Sequence, residues 1–203
     1  DVKMVQILHQ LGVRIMQLSY NNQSLLATGC YEEQDGGITR FGRQVISEMN
    51  RVGMIIDMSH SAEKSTLEAI EISERPIAIT HANPTFFHAA LRNKSDKVLR
   101  AIGESEGMLG FSMYPFHLKN GSDCTLPEFC QMIMQTAEMI GIDQLSTANY
   151  ITKVFYFYRF SNCPRKFRVF FQYLLGNLLP RPRCKTLEGE CHWIHQDNFP
   201  LGV

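Results

Sequence analysis

Two histidines stand at the ends of short apolar runs and are the residues best suited to bind a metal ion. His60 closes the run 54–59 and His81 closes the run 76–80, and a polar, helix-starting segment follows each. Neutral imidazole is the commonest protein ligand for zinc. Because the carboxyl ends of parallel strands form one rim, histidines at the ends of neighbouring strands would point into one site.

The spacing between the two histidines favours this interpretation. They lie one strand–helix unit apart, which predicts that their strands are neighbours in the sheet. A single histidine at a strand end is more often a structural residue, and that alternative stays open for each of them. Asp57 precedes His60 by three residues, and alternation along the strand turns it to the opposite side, where it would support the site or contact a helix.

Further polar residues follow the two histidine-bearing segments. Arg92 and Asn93 come after the irregular stretch 82–91, where an arginine could clamp a substrate carboxylate with two parallel hydrogen bonds. From the residues alone, an exposed surface arginine is the simpler interpretation. His117 and Asp123 lie in a later loop, from which they could reach the same rim.

The residues before position 145 alternate between helical and strand periodicity, as in a parallel sheet covered by helices. The predicted helices cover 2–11, 39–51, 61–73, 94–106 and 126–140, and the predicted strands cover 13–20, 54–60, 76–81 and 107–114. The repeated strand–loop–helix unit indicates the α/β class.

Residues that begin and end the second and third helices can also be predicted. Thr39 and Ser61 are the predicted N-caps, and Gly53 ends the second helix. The segment 21–37 is rich in Asn, Gly and Gln and is longer than a loop that only connects two elements. We therefore expect a lid or substrate loop there.

The alternation stops after the last predicted helix. Residues 145–149 offer no apolar run for a buried strand, and residues 151–203 carry 11 of the 21 aromatic side chains. The net charge of 151–203 is +5, whereas that of 1–150 is −5. We therefore divide the chain into a barrel-like part, 1–144, and a divergent basic aromatic tail, 145–203, whose structure the sequence does not predict.

Composition gives no sign of a nucleic-acid or membrane protein. The 203 residues include 20 basic and 20 acidic side chains, and the tail lacks an RNA-binding signature, so no nucleic-acid partner is predicted. No apolar stretch reaches the roughly 20 residues that span a bilayer, and the first residues lack the apolar region of a signal peptide. The sequence favours a cytoplasmic location unless a targeting segment precedes this chain.

Five ordered motifs resemble those of the membrane dipeptidase (renal dipeptidase) family of zinc peptidases. They occupy residues 11–21, 37–42, 48–60, 76–81 and 91–96. Tyr20 stands where the mammalian members carry a histidine that contacts the substrate. The resemblance is therefore closer to the microbial branch, and it implies Tyr20 as a substrate contact.

This resemblance implies a (β/α)8 TIM-like barrel of the metal-dependent hydrolase type, in which two zinc ions support hydrolysis of dipeptides by a metal-activated water. His60 and His81 are implied as ligands of one zinc. Arg92, with Asn93, is implied as the group that grips the dipeptide carboxylate. The implied partner is a dipeptide substrate, and a homodimer is left open.

The resemblance also implies an incomplete site. The family's HxD motif on the first strand and its bridging glutamate would lie before Asp1. Its GxDFDG-like motif should follow Asp143, where residues 145–148 read differently. We therefore expect part of the barrel, incomplete at the N-terminus and divergent at the C-terminus.

The predicted function is that of a zinc-dependent dipeptidase. The prediction applies to the complete site, and this fragment is not assumed to be active. A zinc site takes at least three protein ligands, so loss of the first-strand ligands should weaken metal binding. The alternative is a non-catalytic barrel fragment that acts as a binding or interaction protein. A third option is another metal-dependent amidohydrolase on the same barrel, because the fold alone does not determine the substrate.

Overall fold

The computed structural model describes residues 1–147, which form five helices and five strands. The helices are α1 (Lys3–Gln10), α2 (Arg40–Val52), α3 (Glu63–Ile72), α4 (Asp96–Glu104) and α5 (Leu126–Ile140). The strands are β1 (Ile15–Gln17), β2 (Ile55–Asp57), β3 (Ala78–Ile79), β4 (Met108–Phe111) and β5 (Leu145–Thr147). Two short 3-10 helices, Pro115–His117 and Gly121–Asp123, lie between β4 and α5.

The five strands form one parallel sheet whose spatial order follows the chain, β1-β2-β3-β4-β5. A helix separates each strand from the next, so every connection is a crossover of the βαβ type. The predicted parallel α/β architecture is confirmed. Since all strands run the same way, the segments that follow β1, β2, β3 and β4 leave the sheet at one rim.

The core lies between the sheet and the helices that cover it. Fully buried apolar side chains come from α2, from α4 and from the strands; they include Ile46, Met49, Leu99, Ile102, Ile56, Ile79 and Leu109. Burial of both faces of the central strands explains their short apolar runs.

The strands are shorter than predicted, and Asp57 accounts for where β2 and β3 end. The backbone N–H groups of Ser59 and Thr80 donate to the Asp57 carboxylate, at 2.9 and 3.2 Å, rather than to a neighbouring strand. The ladder therefore stops, and His60 and His81 lie in the turns just beyond the strands instead of at their last positions.

One predicted helix cap is confirmed and one is wrong. Thr39 caps α2 by accepting a hydrogen bond from the Gly42 N–H at 2.9 Å, and Gly53 ends that helix with φ +80°. Ser61 does not cap α3, because Ala62 occupies the cap position and the Ser61 hydroxyl bonds to the Ser19 hydroxyl at 2.8 Å.

The N-terminus of α3 is capped instead by Asp35, from the long loop after β1. Its carboxylate accepts hydrogen bonds from the Lys64 N–H at 2.5 Å and from the Ser65 hydroxyl at 3.2 Å. This long-range cap joins the loop to the helix that follows His60.

The expectation that residues 145–149 hold no strand is wrong. Leu145 is buried, and β5 pairs with β4 in the register Leu109 to Leu145. A three-residue strand needs only one apolar side chain when a neighbouring strand supplies its hydrogen bonds. The sequence of β5 therefore contains no apolar run that would predict a strand. The rest of the predicted basic aromatic tail, from residue 148 onward, lies outside the described residues.

No helix within residues 1–147 is long and apolar enough to cross a membrane.

Candidate metal centre

The two histidines meet at the rim, as their spacing predicts. The Nε2 atoms of His60 and His81 lie 2.9 Å apart, and the ring centroids lie 4.9 Å apart at an angle of 60°. Two imidazole nitrogens bound to one tetrahedral zinc at its usual bond length would be about 3.3 Å apart. The pair is therefore close to the spacing that a shared ion requires.

The Nδ1 atom of His81 is held by a hydroxyl group that a carboxylate backs. It lies 2.7 Å from Thr80 Oγ1, and that hydroxyl donates to Asp57 Oδ2 at 2.7 Å. The carboxylate can only accept, so the hydroxyl proton points toward Asp57 and its lone pair faces the ring. The proton of a neutral His81 then lies on Nδ1, which leaves a lone pair on Nε2.

The His60 ring has the same tautomer for a different reason. Its Nδ1 lies 2.6 Å from Oδ1 of Asn21, an amide oxygen that can only accept. The Nε2 lone pair of His60 therefore faces the Nε2 lone pair of His81. Two neutral acceptors at this distance repel each other unless a cation or a proton lies between them.

Burial and nearby cations disfavour a proton at this position. Burial, followed by the charge of Arg92, lowers the pKa of His60 to about 3. The same two causes lower the pKa of His81. Both rings are thus neutral near pH 7, which is the form that binds metals.

Asp57 accepts several hydrogen bonds at the ends of β2 and β3. It accepts from the Ser59 hydroxyl at 2.5 Å, from the Thr80 hydroxyl and from Gln17 Nε2 at 3.1 Å, besides the two backbone N–H groups. Burial alone would raise the pKa of this carboxyl group, but hydrogen bonds from Ser59 and Thr80 lower it. Through Thr80, Asp57 is linked to the His81 ring.

Arg92 is 2% exposed, so the simpler prediction of an exposed surface arginine is wrong. Its guanidinium donates to the Ser59 carbonyl and, at 3.2 Å, to the His81 carbonyl. In the tautomer assigned above, its Nη2 also donates to His60 Nε2 at 3.3 Å. Arg92 thus adjoins both histidine-bearing turns.

Lys94 also stabilises the His60 turn. Its buried ammonium donates to the Met58 carbonyl at 3.0 Å and to the Ser61 carbonyl at 2.7 Å. Together with Arg92, it satisfies carbonyl groups on both sides of His60. The turn is therefore fixed by two basic side chains from a single short segment.

The Asn93 side chain is bonded to the backbone of neighbouring loops. Its Nδ2 donates to the carbonyls of His88 and His117, and its Oδ1 accepts from the Asn83 N–H. These bonds fix the loop that carries Arg92 against the loop that follows β4.

Tyr20 is the site residue most open to solvent. Its ring stacks on His60 with centroids 4.1 Å apart and planes 18° from parallel, and 70% of the residue is exposed. This contact places Tyr20 on the outer side of the histidine pair.

The segment 21–37, expected to be a lid or substrate loop, packs against the His60 turn through its middle residues. Cys30 N–H donates to the His60 carbonyl at 3.0 Å, and Ala62 N–H donates to the Thr28 carbonyl at 3.0 Å. The loop therefore helps to hold the site.

The two later candidates differ in burial. His117 is buried, its Nδ1 lies 3.1 Å from the Ser112 hydroxyl, and burial together with Arg92 lowers its pKa to about 4. Asp123 is exposed in the second 3-10 helix.

Sequence reasoning missed Asn21, Thr80 and Lys94. Thr80 precedes His81 directly, and a hydroxyl residue at a strand end was a usable signal. Asn21 and Lys94 act through contacts across 39 and 36 residues of chain, which no local pattern encodes.

The described residues bring two imidazole groups together at the rim, fewer than the three or more protein ligands of a usual zinc site. No group of three or more His, Cys, Asp or Glu side chains within 1–147 is placed to hold a metal. The convergent Nε2 pair nevertheless has the donor chemistry and the tautomers of a partial zinc site.

A parallel α/β sheet with its polar groups gathered at the carboxyl ends of the strands is the arrangement found in α/β-barrel enzymes. The chain matches the model of the membrane dipeptidase family, peptidase family M19, over residues 1–149. It belongs to that family.

Curated relatives match over only part of their length. Dipeptidase tcpJ of Claviceps purpurea is 29% identical over 144 residues, which are 70% of this chain and 34% of that protein. Dipeptidase aclJ of Aspergillus oryzae is 25% identical over 145 residues, which are 70% of this chain and 34% of that protein. The chain thus spans about a third of the length of these relatives.

Solved structures support the barrel-like fold. An amidohydrolase from Pseudomonas aeruginosa is 34% identical, with a TM-score of 0.70 over 86% of this chain and 50% of that one. A metallopeptidase from Rhodobacter sphaeroides, solved with a phosphinate mimic of L-Ala-D-Ala, matches with a TM-score of 0.67 at 23% identity. That match covers 71% of this chain and 44% of the other. The predicted class, part of a TIM-like α/β barrel, is confirmed.

Proposed function

We propose that this chain carries the His60–His81 part of a zinc dipeptidase site, and that the site hydrolyses the peptide bond of dipeptides. The observation that carries the proposal is the pair of Nε2 lone pairs that face each other across 2.9 Å. Neutral, buried and fixed in tautomer by their Nδ1 partners, these nitrogens are suited to share one metal ion. Membership of the dipeptidase family supports the reaction class.

His60 and His81 would hold the metal, and further ligands would come from outside residues 1–147, because two imidazoles fall short of a zinc ligand set. In the bound state the ion would act as a Lewis acid that polarises the scissile carbonyl and activates a water. A family site with two zinc ions is part of this proposal.

Arg92 is the proposed anchor for the carboxylate of the dipeptide. Its guanidinium already adjoins His60 Nε2 at 3.3 Å, so a carboxylate gripped there would lie beside the metal ligands. The planar fork of arginine matches a carboxylate with two parallel bonds and orients the substrate. Burial strengthens such a charge-assisted contact.

Asn93 and Tyr20 complete the proposed substrate-binding group. Asn93 contributes by fixing the loop that positions Arg92. Tyr20 contributes an exposed ring and hydroxyl on the outer side of His60, where a side chain of the dipeptide could lie against it.

The first test is a zinc titration of the chain with a competing chelator, alongside His60→Gln and His81→Gln. We expect each variant to lose most of the zinc affinity while circular dichroism shows an unchanged fold. His88→Gln, in a neighbouring loop, is the matched control and should bind zinc like the parent. Equal affinity in all four proteins would contradict the proposed ligands.

The second test distinguishes a dipeptidase from another amidohydrolase and from a non-catalytic binding protein. The zinc-loaded chain is assayed with a panel of dipeptides and, in parallel, with N-acyl amino acids and lactones. Hydrolysis of dipeptides alone is the expected result. Hydrolysis of the other classes alone would indicate a different amidohydrolase, and bound zinc without any hydrolysis would favour a non-catalytic binding protein.

A further inference from the structure

A continuous set of hydrogen bonds runs from a carboxylate on one strand to an imidazole beyond the next. Asp57 Oδ2 accepts from Thr80 Oγ1 at 2.7 Å, and Thr80 Oγ1 lies 2.7 Å from His81 Nδ1. The register of the sheet places Asp57 opposite Ala78, so Thr80 leaves β3 within reach of the carboxylate. The sheet itself therefore brings these groups together.

The order of donors along this set follows from what each group can do. Asp57 is an acceptor only, and the Thr80 hydroxyl has one proton to give. Its other oxygen neighbour, Ser59 Oγ at 3.1 Å, donates to Asp57 itself, which leaves the carboxylate as the stronger acceptor for the Thr80 proton. With that proton directed to Asp57, Thr80 can only accept from the His81 ring. The ring must then carry its proton on Nδ1.

We infer that Thr80 is a positioning residue for His81. Backed by Asp57, its hydroxyl holds the imidazole in the Nδ1–H tautomer and leaves Nε2 unprotonated toward His60. This inference rests on the proposed role of His81 as a zinc ligand. It adds a residue that acts through that ligand and does not touch the metal or the substrate.

The two histidines are supported differently. The His60 ring donates to the neutral amide oxygen of Asn21, whereas the His81 ring donates into a hydroxyl that a carboxylate polarises. A carboxylate behind a metal-binding histidine raises its basicity, and loss of such a partner typically weakens metal affinity 10- to 100-fold. The support of His81 therefore includes a carboxylate, and that of His60 does not.

Nuclear magnetic resonance measures the tautomer of the His81 ring directly. Long-range 1H–15N correlation spectra of the full chain with 15N-labelled histidine distinguish protonated from unprotonated ring nitrogens, and His81→Gln identifies the His81 signals. In the absence of metal, we expect His81 to show a protonated Nδ1. Thr80→Val, which removes the hydroxyl and keeps the shape, should shift the ring to a mixture of tautomers.

Two matched variants show whether the hydroxyl is responsible. Thr80→Ser restores it and should keep the parent spectrum. Thr136→Val removes a buried hydroxyl of α5, which donates to the Met132 carbonyl at 2.7 Å, and should leave His81 unchanged. If Thr80→Val does not fold by circular dichroism, Thr80→Ala removes the same hydroxyl with less bulk and is read in the same way.

Zinc titration of the same proteins gives the second readout. Thr80→Val should bind zinc about 10- to 100-fold more weakly than the parent, and Thr80→Ser should bind within a few-fold of it. A parent His81 with its proton on Nε2, or a Thr80→Val ring that keeps the Nδ1–H form, would overturn the inference. Because the spectra are recorded without metal, a chain that binds no zinc would refute only the proposed function.

Discussion

The Nε2 atoms of His60 and His81 face each other at 2.9 Å while both Nδ1 atoms are engaged with acceptors. Neither ring then has a proton to share with the other. Burial and Arg92 keep both rings neutral, so protonation does not relieve the contact near pH 7. A metal ion bound as proposed above would relieve this contact.

Asn21 should control the metal affinity of His60. It adopts a left-handed backbone conformation with φ +63°, so Asn21→Gly removes the amide without backbone strain. We expect zinc affinity to fall about tenfold or more, since the ring loses the acceptor that fixes its tautomer. Asn21→Asp keeps an acceptor oxygen and should retain the affinity, as measured by competitive zinc titration. Similar losses in the two variants would show that the acceptor is not what matters.

Asp35 should stabilise the fold by capping α3 from the preceding loop. Asp35→Ala removes the acceptor for the Lys64 N–H and the Ser65 hydroxyl, and loss of such a cap costs about 1–2 kcal/mol in the free energy of unfolding. Urea unfolding measures this loss. Glu33→Ala, an exposed neighbour in the same loop, is the control and should change stability little; an equal effect of both substitutions would rule out the cap.

Lys94 should make stability depend on pH. Burial and the nearby charge of Arg92 lower its pKa from 10.5 to about 7. Between these values the unfolded chain holds a proton that the folded chain lacks, so the free energy of unfolding rises with pH by up to about 1.4 kcal/mol per unit. Below the lower value both states are protonated, and the folded state bears the full cost of the buried ammonium.

Urea unfolding at about pH 7 and about pH 9 checks this prediction. Lys94→Met should show a smaller rise in stability over this interval than the parent chain. Lys97→Met, an exposed lysine of α4, should follow the parent. A Lys94→Met variant with the parent's pH dependence would show that Lys94 does not titrate in this window.

Much of the architecture follows from local sequence. The apolar runs before His60 and His81, one strand–helix unit apart, suffice to predict neighbouring strands and a shared rim. Thr39 and Gly53 mark the ends of α2 because cap preferences are set within one turn of helix. These features depend on residues close together in the chain.

The remaining features depend on contacts that only the folded chain defines. Asp57 ends two strands because the register brings Thr80 to it, and no pattern within either strand shows this. The local sequence around Arg92 is typical of a surface residue. Arg92 is buried because it packs against the His60 turn, which is distant in sequence. β5 has a single buried apolar side chain, so its sequence resembles a loop.

We propose above that His60 and His81 bind one metal ion through Nε2. The most direct measurement is a zinc titration of the 15N-histidine-labelled chain, followed through its ring nitrogens. We predict that the Nε2 signals of both histidines shift together while their Nδ1 atoms stay protonated, and that His9 and His88 remain unchanged. Zinc-dependent shifts at His9 or His88, with His60 and His81 unaffected, would show that the two histidines at the rim are not the metal ligands.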